Sequence, residues 1–390
     1  MLILKNGSLV TMAGKIMIGD ISMEKGKILQ VGGCIAAGEN DRVIDCTGQY
    51  ITPGLVDAHT HIGLMETGTR DSDHNEKTNP ITPQMRALDA INPFDAAFDD
   101  ALKGGVTSGI TCPGSINLIG GTCAAIKMKG TLVDDMLIKD DICMKAALGE
   151  NPKFRYTEQK KSPMSRMASA SLMRAAFAKA QDYQRKVKLA KDHPERMPDR
   201  DLGMEALAKV LSGERYLKIH IHRSDDIATA IRVANEFGVK YTLDHCTEGF
   251  RIFDLIRSEV EKGNCRGVIA GPLFGYKRKG ELMNSRRLEY PKMLHEAGIP
   301  FAICTDFYET PQDFLRNAAI MAAAEGLPDD VAFAAITCNA AKIVGIEDRV
   351  GSLKPGLDAD IAVFSGEPMD IRSHCMMTII NGEIVYERRA

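Results

Sequence analysis

Ile51-Thr-Pro-Gly-Leu-Val-Asp-Ala-His-Thr-His61 is the stretch whose reading decides the fold. Pro53-Gly54 punctuates a turn. Leu55 and Val56 then begin an extended apolar run that carries Asp57, His59 and His61. Side chains alternate faces along a strand, so residues two apart point the same way. His59 and His61 therefore present two imidazoles side by side, as two ligands of one metal ion require. A bare His-Xaa-His also occurs in exposed loops; the turn and the apolar start favour the metal.

Outward from this strand, apolar runs alternate with helical patterns. Strands are expected at Val106–Thr111, Cys123–Met128, Ile142–Leu148, Leu217–His222, Tyr241–His245, Gly267–Ala270 and Phe301–Thr305. Helices are expected at Pro93–Lys103, Ser162–Asp192, Asp225–Phe237, Arg286–Ala297 and Pro311–Ala324, most of them stopped by glycine or proline. With Pro53–His61 this makes eight strands, and the alternation predicts an α/β fold built as a parallel (β/α)8 TIM-type barrel.

Both chain ends read differently. Asn6-Gly7, Lys25-Gly26 and Asn381-Gly382 each separate short apolar runs, the pattern of hairpins. Neither end carries enough apolar surface to stand alone. One small β-sandwich domain made from residues 1–52 plus 349–390 is expected, with the barrel at 53–348.

Composition limits the partners. The 390 residues carry a net charge of −3, so no nucleic-acid or anionic-membrane partner is implied. The start turns polar within a few residues, unlike a signal peptide, and no apolar run reaches transmembrane length. Ten cysteines without Cys-Xaa-Xaa-Cys spacing fit reduced thiols in the cytoplasm. A homo-oligomer acting on a small-molecule substrate is the expectation.

In such a barrel, catalysis sits at the C-terminal ends of the strands. Five of the nine histidines fall there: His59, His61, His220, His222 and His245. Asp306 follows the last strand, and Lys145 lies in the Ile142 strand ahead of Gly149-Glu150-Asn151. His74, His193, His295 and His374 fall in loops or helices and read as solvated surface residues.

At these residues the chain resembles a known family. Pro53-Gly-Leu-Val-Asp-Ala-His-Thr-His61, Thr305-Asp306, and the tail from Asn339-Ala-Ala-Lys-Ile-Val-Gly345 through Gly351-Ser-Leu-Lys-Pro-Gly-Leu-Asp-Ala-Asp360 resemble signatures of the amidohydrolase superfamily. The pattern is most similar to the branch of imidazolonepropionases, prolidase-like peptidases and isoaspartyl dipeptidases. The resemblance implies metal ligands at His59, His61, His220, His245 and Asp306, with a carboxylated lysine at Lys145 bridging two ions. His222 faces the same way as His220 and is the alternative on that strand; Glu150 is the rival of Lys145.

The chemistry expected of that ligand set is hydrolysis. Imidazoles and carboxylates suit Zn2+, two ions in this branch, with Mn2+, Fe2+ or Ni2+ also accommodated. An activated water would attack a carbonyl carbon while Asp306 moves its proton to the leaving nitrogen. A buried ammonium without a partner is costly; the amine left by its deprotonation can add CO2, giving the carbamate on Lys145. His222 and Arg223 would contact a substrate carboxylate or ring carbonyl, since arginine offers a bidentate fork. Arg70, in the charged loop after the first strand, and Tyr276, after the seventh, would face the substrate from the rim. The leading expectation is cleavage of an amide C–N bond in a small peptide, N-acyl amino acid or cyclic amide. A one-metal deaminase of a nitrogen heterocycle is the alternative, and a non-catalytic scaffold the third class. The deaminase reading lacks an acid of the usual kind after His222 and leaves Lys145 without a role.

Overall fold

Two eight-stranded sheets carry the molecule in the computed structural model, which describes residues 1–12, 14, 16–68, 72–191, 193–274 and 287–389. The central sheet consists of β1 (Leu55–Thr60), β2 (Val106–Thr111), β3 (Ile119–Lys127), β4 (Leu137–Ala147), β5 (Tyr216–Ile221), β6 (Tyr241–His245), β7 (Cys265–Ala270) and β8 (Phe301–Ile303), paired in that order. Every strand is almost wholly buried in its C-terminal half, as strands covered on both faces must be. The seam between β8 and β1 is nearly closed. Asp306 N donates to His59 O at 3.1 Å and His61 N donates to Phe307 O at 3.2 Å. Beneath them, Asp57 accepts from Thr305 Oγ1 and, at 2.6 Å, from Gln312 Nε2. The first and last strands thus bring His59, His61 and Asp306 together.

One strand corrects the expected all-parallel barrel. β3 runs antiparallel to both β2 and β4. The reason is the connection: only residues 112–118 separate β2 from β3. A parallel crossover needs a dozen or more residues, usually a helix, whereas an antiparallel return needs few. The segment entering β3 therefore lies at the same rim as the ends of its neighbours. There it packs against residues 72–86: Thr82 N donates to Ile119 O, and Asn117 Nδ2 donates to Glu76 O and Asn79 O. Gly114 is required at this contact, since a Cβ would stand 2.4 Å from atoms of His74 and Asn75.

The terminal strands form the second sheet. Leu2–Leu9, Met17–Glu24, Lys27–Val31, Arg42–Asp45 and Tyr50–Pro53 join Ile361–Phe364, Cys375–Ile380 and Glu383–Glu387. In hydrogen bonding this is one continuous sheet, with Tyr50–Pro53 against Ile361–Phe364 joining the two chain ends, rather than two facing ones. Leu4, Ile21, Ile51, Ile361, Val363 and Ile379 give it a core of its own. Gly54 links the sheets, and a Cβ there would fall 2.1 Å from Thr107 Oγ1. Lys127, at the far end of β3, ties the central sheet to the tail. Its ammonium is buried between Asp358, at 2.8 Å, and Asp360, at 2.5 Å. Among the described residues, no helix is long and apolar enough to cross a membrane.

Candidate metal centre

Three histidines share one arrangement. His59 donates through Nδ1 to Asp244 Oδ2 at 2.6 Å, His61 through Nδ1 to Cys112 O at 2.7 Å, and His245 through Nδ1 to Gly271 O at 2.6 Å. A carbonyl or carboxylate oxygen can only accept, so each ring donates through Nδ1, and the neutral ring has its lone pair on Nε2. This is how ligating imidazoles are held. Asp306 Oδ1 stands 3.4 Å from Nε2 of both His59 and His61. Donor atoms of His59, His245 and Asp306 lie within 4.8 Å of one another. His245 Nε2 is buried and has no hydrogen-bond partner among the described residues. An unpaired buried polar atom of this kind costs about 1–3 kcal/mol unless something binds it.

The other expected residues surround this core. Lys145 is fully buried, its Nζ 3.3 Å from His59 Nε2. The ring of His220 lies 4.5 Å from that of His245, and its Nε2 faces Asn151 Nδ2 at 3.2 Å. His222 packs 4.7 Å from His220 and 5.1 Å from His245, and its Nδ1 is 2.8 Å from Thr247 Oγ1. Glu150 opens the helix Glu150–Glu158, after Gly149 at φ 94°, and lines the rim. Arg223 is half-exposed and its fork holds Asp225 at 2.8 and 3.0 Å. It lines a cavity of about 620 Å³ with Glu150, Lys153, Arg166, Ser224, Asp225 and Glu248. Arg70 and Tyr276 lie outside the described residues.

Four residues at this centre were not singled out from the sequence as part of it. Asp244 holds His59 and Lys218, whose Nζ is 3.0 Å away. Lys218 also donates to Ala58 O at 2.8 Å. The signal was parity: Lys218 is two residues before His220 and shares its face. Cys112 follows β2 directly, with donor atoms of His59 and His61 within 4.8 Å. His74 corrects the expectation of a solvated surface residue. It is half-buried, its ring 5.4 Å from His61, held by Ser72 Oγ at 2.6 Å and by Gly114 N on its carbonyl. His193, His295 and His374 are exposed.

Electrostatics follow from burial. Burial pushes the Asp306 carboxyl up, but His245, His61 and His59 outweigh it and hold it well below the usual carboxylate range. Asp244 is likewise lowered against burial, by Lys218 and His59. Burial takes His245 down to about 4 and His74 down to about 3. Backbone strain accompanies this: His245, Cys246 and Asp306 have φ of 65°, 48° and 51°. Side chains rarely tolerate that region, and each such residue costs about 1–3 kcal/mol.

A barrel-like sheet with a strand-end cluster of imidazoles and a carboxylate defines a class, and the comparisons identify it. The amidohydrolase family model matches residues 50–385, and the chain belongs to that family. The amidohydrolase tasK of Hapsidospora irregularis is 28% identical over 402 residues, covering 95% of this chain. The chain spans only 40% of the length of that relative. An amidohydrolase structure from Thermotoga maritima MSB8 superposes with a TM-score of 0.95 at 37% identity over 100% of both chains. A beta-aspartyl dipeptidase from Fervidobacterium islandicum AW-1, solved with a beta-Asp-Leu dipeptide, shares the fold at 13% identity and a TM-score of 0.59, over 99% of this chain and 96% of that one.

Proposed function

We propose that this chain is a metal-dependent hydrolase that cleaves an amide C–N bond in a small peptide, an N-acyl amino acid or a cyclic amide. The observation that carries this reading is the buried His245 Nε2, without a hydrogen-bond partner among the described residues, beside His59 and Asp306. The donor set suits a zinc-like ion: His59, His61 and Asp306 would hold one, and His220 and His245 a second. When bound, such ions would polarise the amide carbonyl and acidify a water. Asp306, within 3.4 Å of two imidazoles, would take the proton of the attacking water and deliver it to the leaving nitrogen. The water oxygen joins the carbonyl carbon, the C–N bond breaks, and acid and amine leave.

Lys145 would bridge the two ions as its CO2 adduct. Two buried lysines, Lys145 and Lys218, stand in register on neighbouring strands, and Lys218 has Asp244 within 3.0 Å. A carbamate turns the second cation into an anion beside the imidazoles. His222 would contact the substrate, and Arg223, in the charged cavity at the rim, would take a carboxylate.

The test is a substrate screen of the zinc-loaded enzyme. Dipeptides, N-acyl amino acids, lactams, hydantoins and aminated heterocycles are offered, and ammonia release is assayed separately. Hydrolysis of an acidic amide supports the reading; ammonia release from a heterocycle alone sinks it. Lys145→Ala is expected to lose activity, and added acetate or propionate to restore part of it.

A further inference from the structure

A carboxylate oxygen without a donor lines the charged cavity at the rim of the metal centre. Glu150 Oε2 is buried and accepts no hydrogen bond among the described residues. The helix Glu150–Glu158 does not explain the burial. Its N-cap position is Gly149, and a first-turn carboxylate favours the helix dipole equally well from solvent. The other charged walls of the cavity have donors and acceptors of their own. Arg223 holds Asp225 at 2.8 and 3.0 Å, and Arg166 Nε holds both oxygens of Asp226 at 2.9 and 3.0 Å. Glu248 Oε2 accepts from Ser224 N at 3.0 Å and from Ser224 Oγ at 3.2 Å. Neither arginine donates to Glu150 Oε2, nor does Lys153, one turn along the same helix.

The cavity adjoins the metal centre. Asn151, next to Glu150 in the chain, has Nδ2 3.2 Å from His220 Nε2. Arg223 follows His222 directly, and Glu248 N donates to His222 O at 2.9 Å. At about 620 Å³ the cavity has the size of a small-molecule site. A substrate with its amide at the imidazoles therefore has room to extend towards Glu150. A buried carboxylate oxygen is costly until a donor reaches it, and a charged donor serves it best. An ammonium brings three N–H groups and the opposite charge, whereas an amide N–H brings one donor and no charge.

We propose that Glu150 binds an ammonium group of the substrate, so that the chain prefers zwitterionic amides, such as unblocked dipeptides, to N-acyl amino acids and cyclic amides. The inference rests on the amide-hydrolase reading and deepens it by naming the substrate class. Glu150 takes the ammonium, and Arg223 takes the carboxylate.

The test compares unblocked dipeptides with their N-acetyl counterparts on the full-length, zinc-loaded chain. The parent should cleave the unblocked member of each pair with the higher kcat/KM. Glu150→Gln keeps the shape and removes the charge. It should raise KM for the unblocked dipeptide by about 10- to 100-fold, as loss of a hydrogen bond to a charged group does. Its kcat, its zinc content and its KM for the N-acetyl counterpart should stay near those of the parent. A parent that cleaves both members equally, or prefers the N-acetyl one, overturns the inference and leaves the hydrolase reading standing. Zinc lost from Glu150→Gln also overturns it, by making Glu150 a metal ligand. So does a fall in kcat at constant KM. A parent that hydrolyses no amide overturns both. If Glu150→Gln does not fold, the preference of the parent within each pair decides.

Discussion

Two buried charge clusters sit at opposite ends of the central sheet, and they are built on different rules. At one end of β3, Lys127 is buried between Asp358 and Asp360, while Arg349 and Lys27 complete the grip on Asp358. There the charges meet partners at hydrogen-bond distance, and Asn381 N adds a bond to Asp360. At the other end, His245 Nε2 is left without a hydrogen bond among the described residues, and His245 and Asp306 sit in strained backbone. A cluster that only holds the fold satisfies its polar atoms, because a missing partner costs stability. A cluster that keeps unpaired donors and strain reserves them for something that binds.

The comparison can be broken by mutation, and the largest effect should come from the strand-end cluster. His59→Ala is expected to lose bound metal and activity together, with folding retained. Metal analysis beside a turnover assay checks this; full metal content in the variant would place the ions elsewhere. Asp306→Asn should keep at least one ion while activity falls by about 10²–10⁴-fold, the range of a lost proton shuttle. Turnover near the parent rate would remove Asp306 from proton transfer.

At the Lys127 cluster the effect should appear in stability alone. Lys127→Ala leaves two buried carboxylates facing each other and should cost about 3–5 kcal/mol, as removing one partner of a buried pair does. Denaturant unfolding measures it, and activity per folded molecule should not change. A stable variant would mean that Arg349 and Lys27 suffice.

The smallest effect is a pH dependence. Burial raises the Asp358 carboxyl, but Arg349, Lys127 and Lys27 outweigh it and hold it below its ordinary range. A carboxyl depressed in the folded state stabilises the fold above its unfolded value, about 3.9. That stability is lost as pH falls from there. Melting temperatures from pH 6 to pH 3 should therefore drop less steeply in Asp358→Asn than in the parent. Equal slopes would assign the acid sensitivity to other groups.

Much of this was legible in residues close together in sequence. Period-two alternation placed His59 with His61 and His220 with His222, and glycine stops placed most helix ends. The helix expected over 162–192 is Arg166–Leu189, and that expected over 225–237 is Ser224–Phe237. The direction of β3 was also written in its short connection, but the count of eight alternating strands overrode that signal. His74 could not be placed, because its position comes from the packing of residues 72–86 on the entry to β3, and a polar loop carries no period to read.

By itself the sequence determined the strand-end histidines, the apolar strands and the hairpins at both ends, because alternation and turn chemistry are set by adjacent residues. Only the tertiary structure decided which groups meet. Asp244 reaches His59 across 185 residues and Asp358 reaches Lys127 across 231. Closure of the sheet makes those contacts, and no local pattern encodes the distance between residues on different strands.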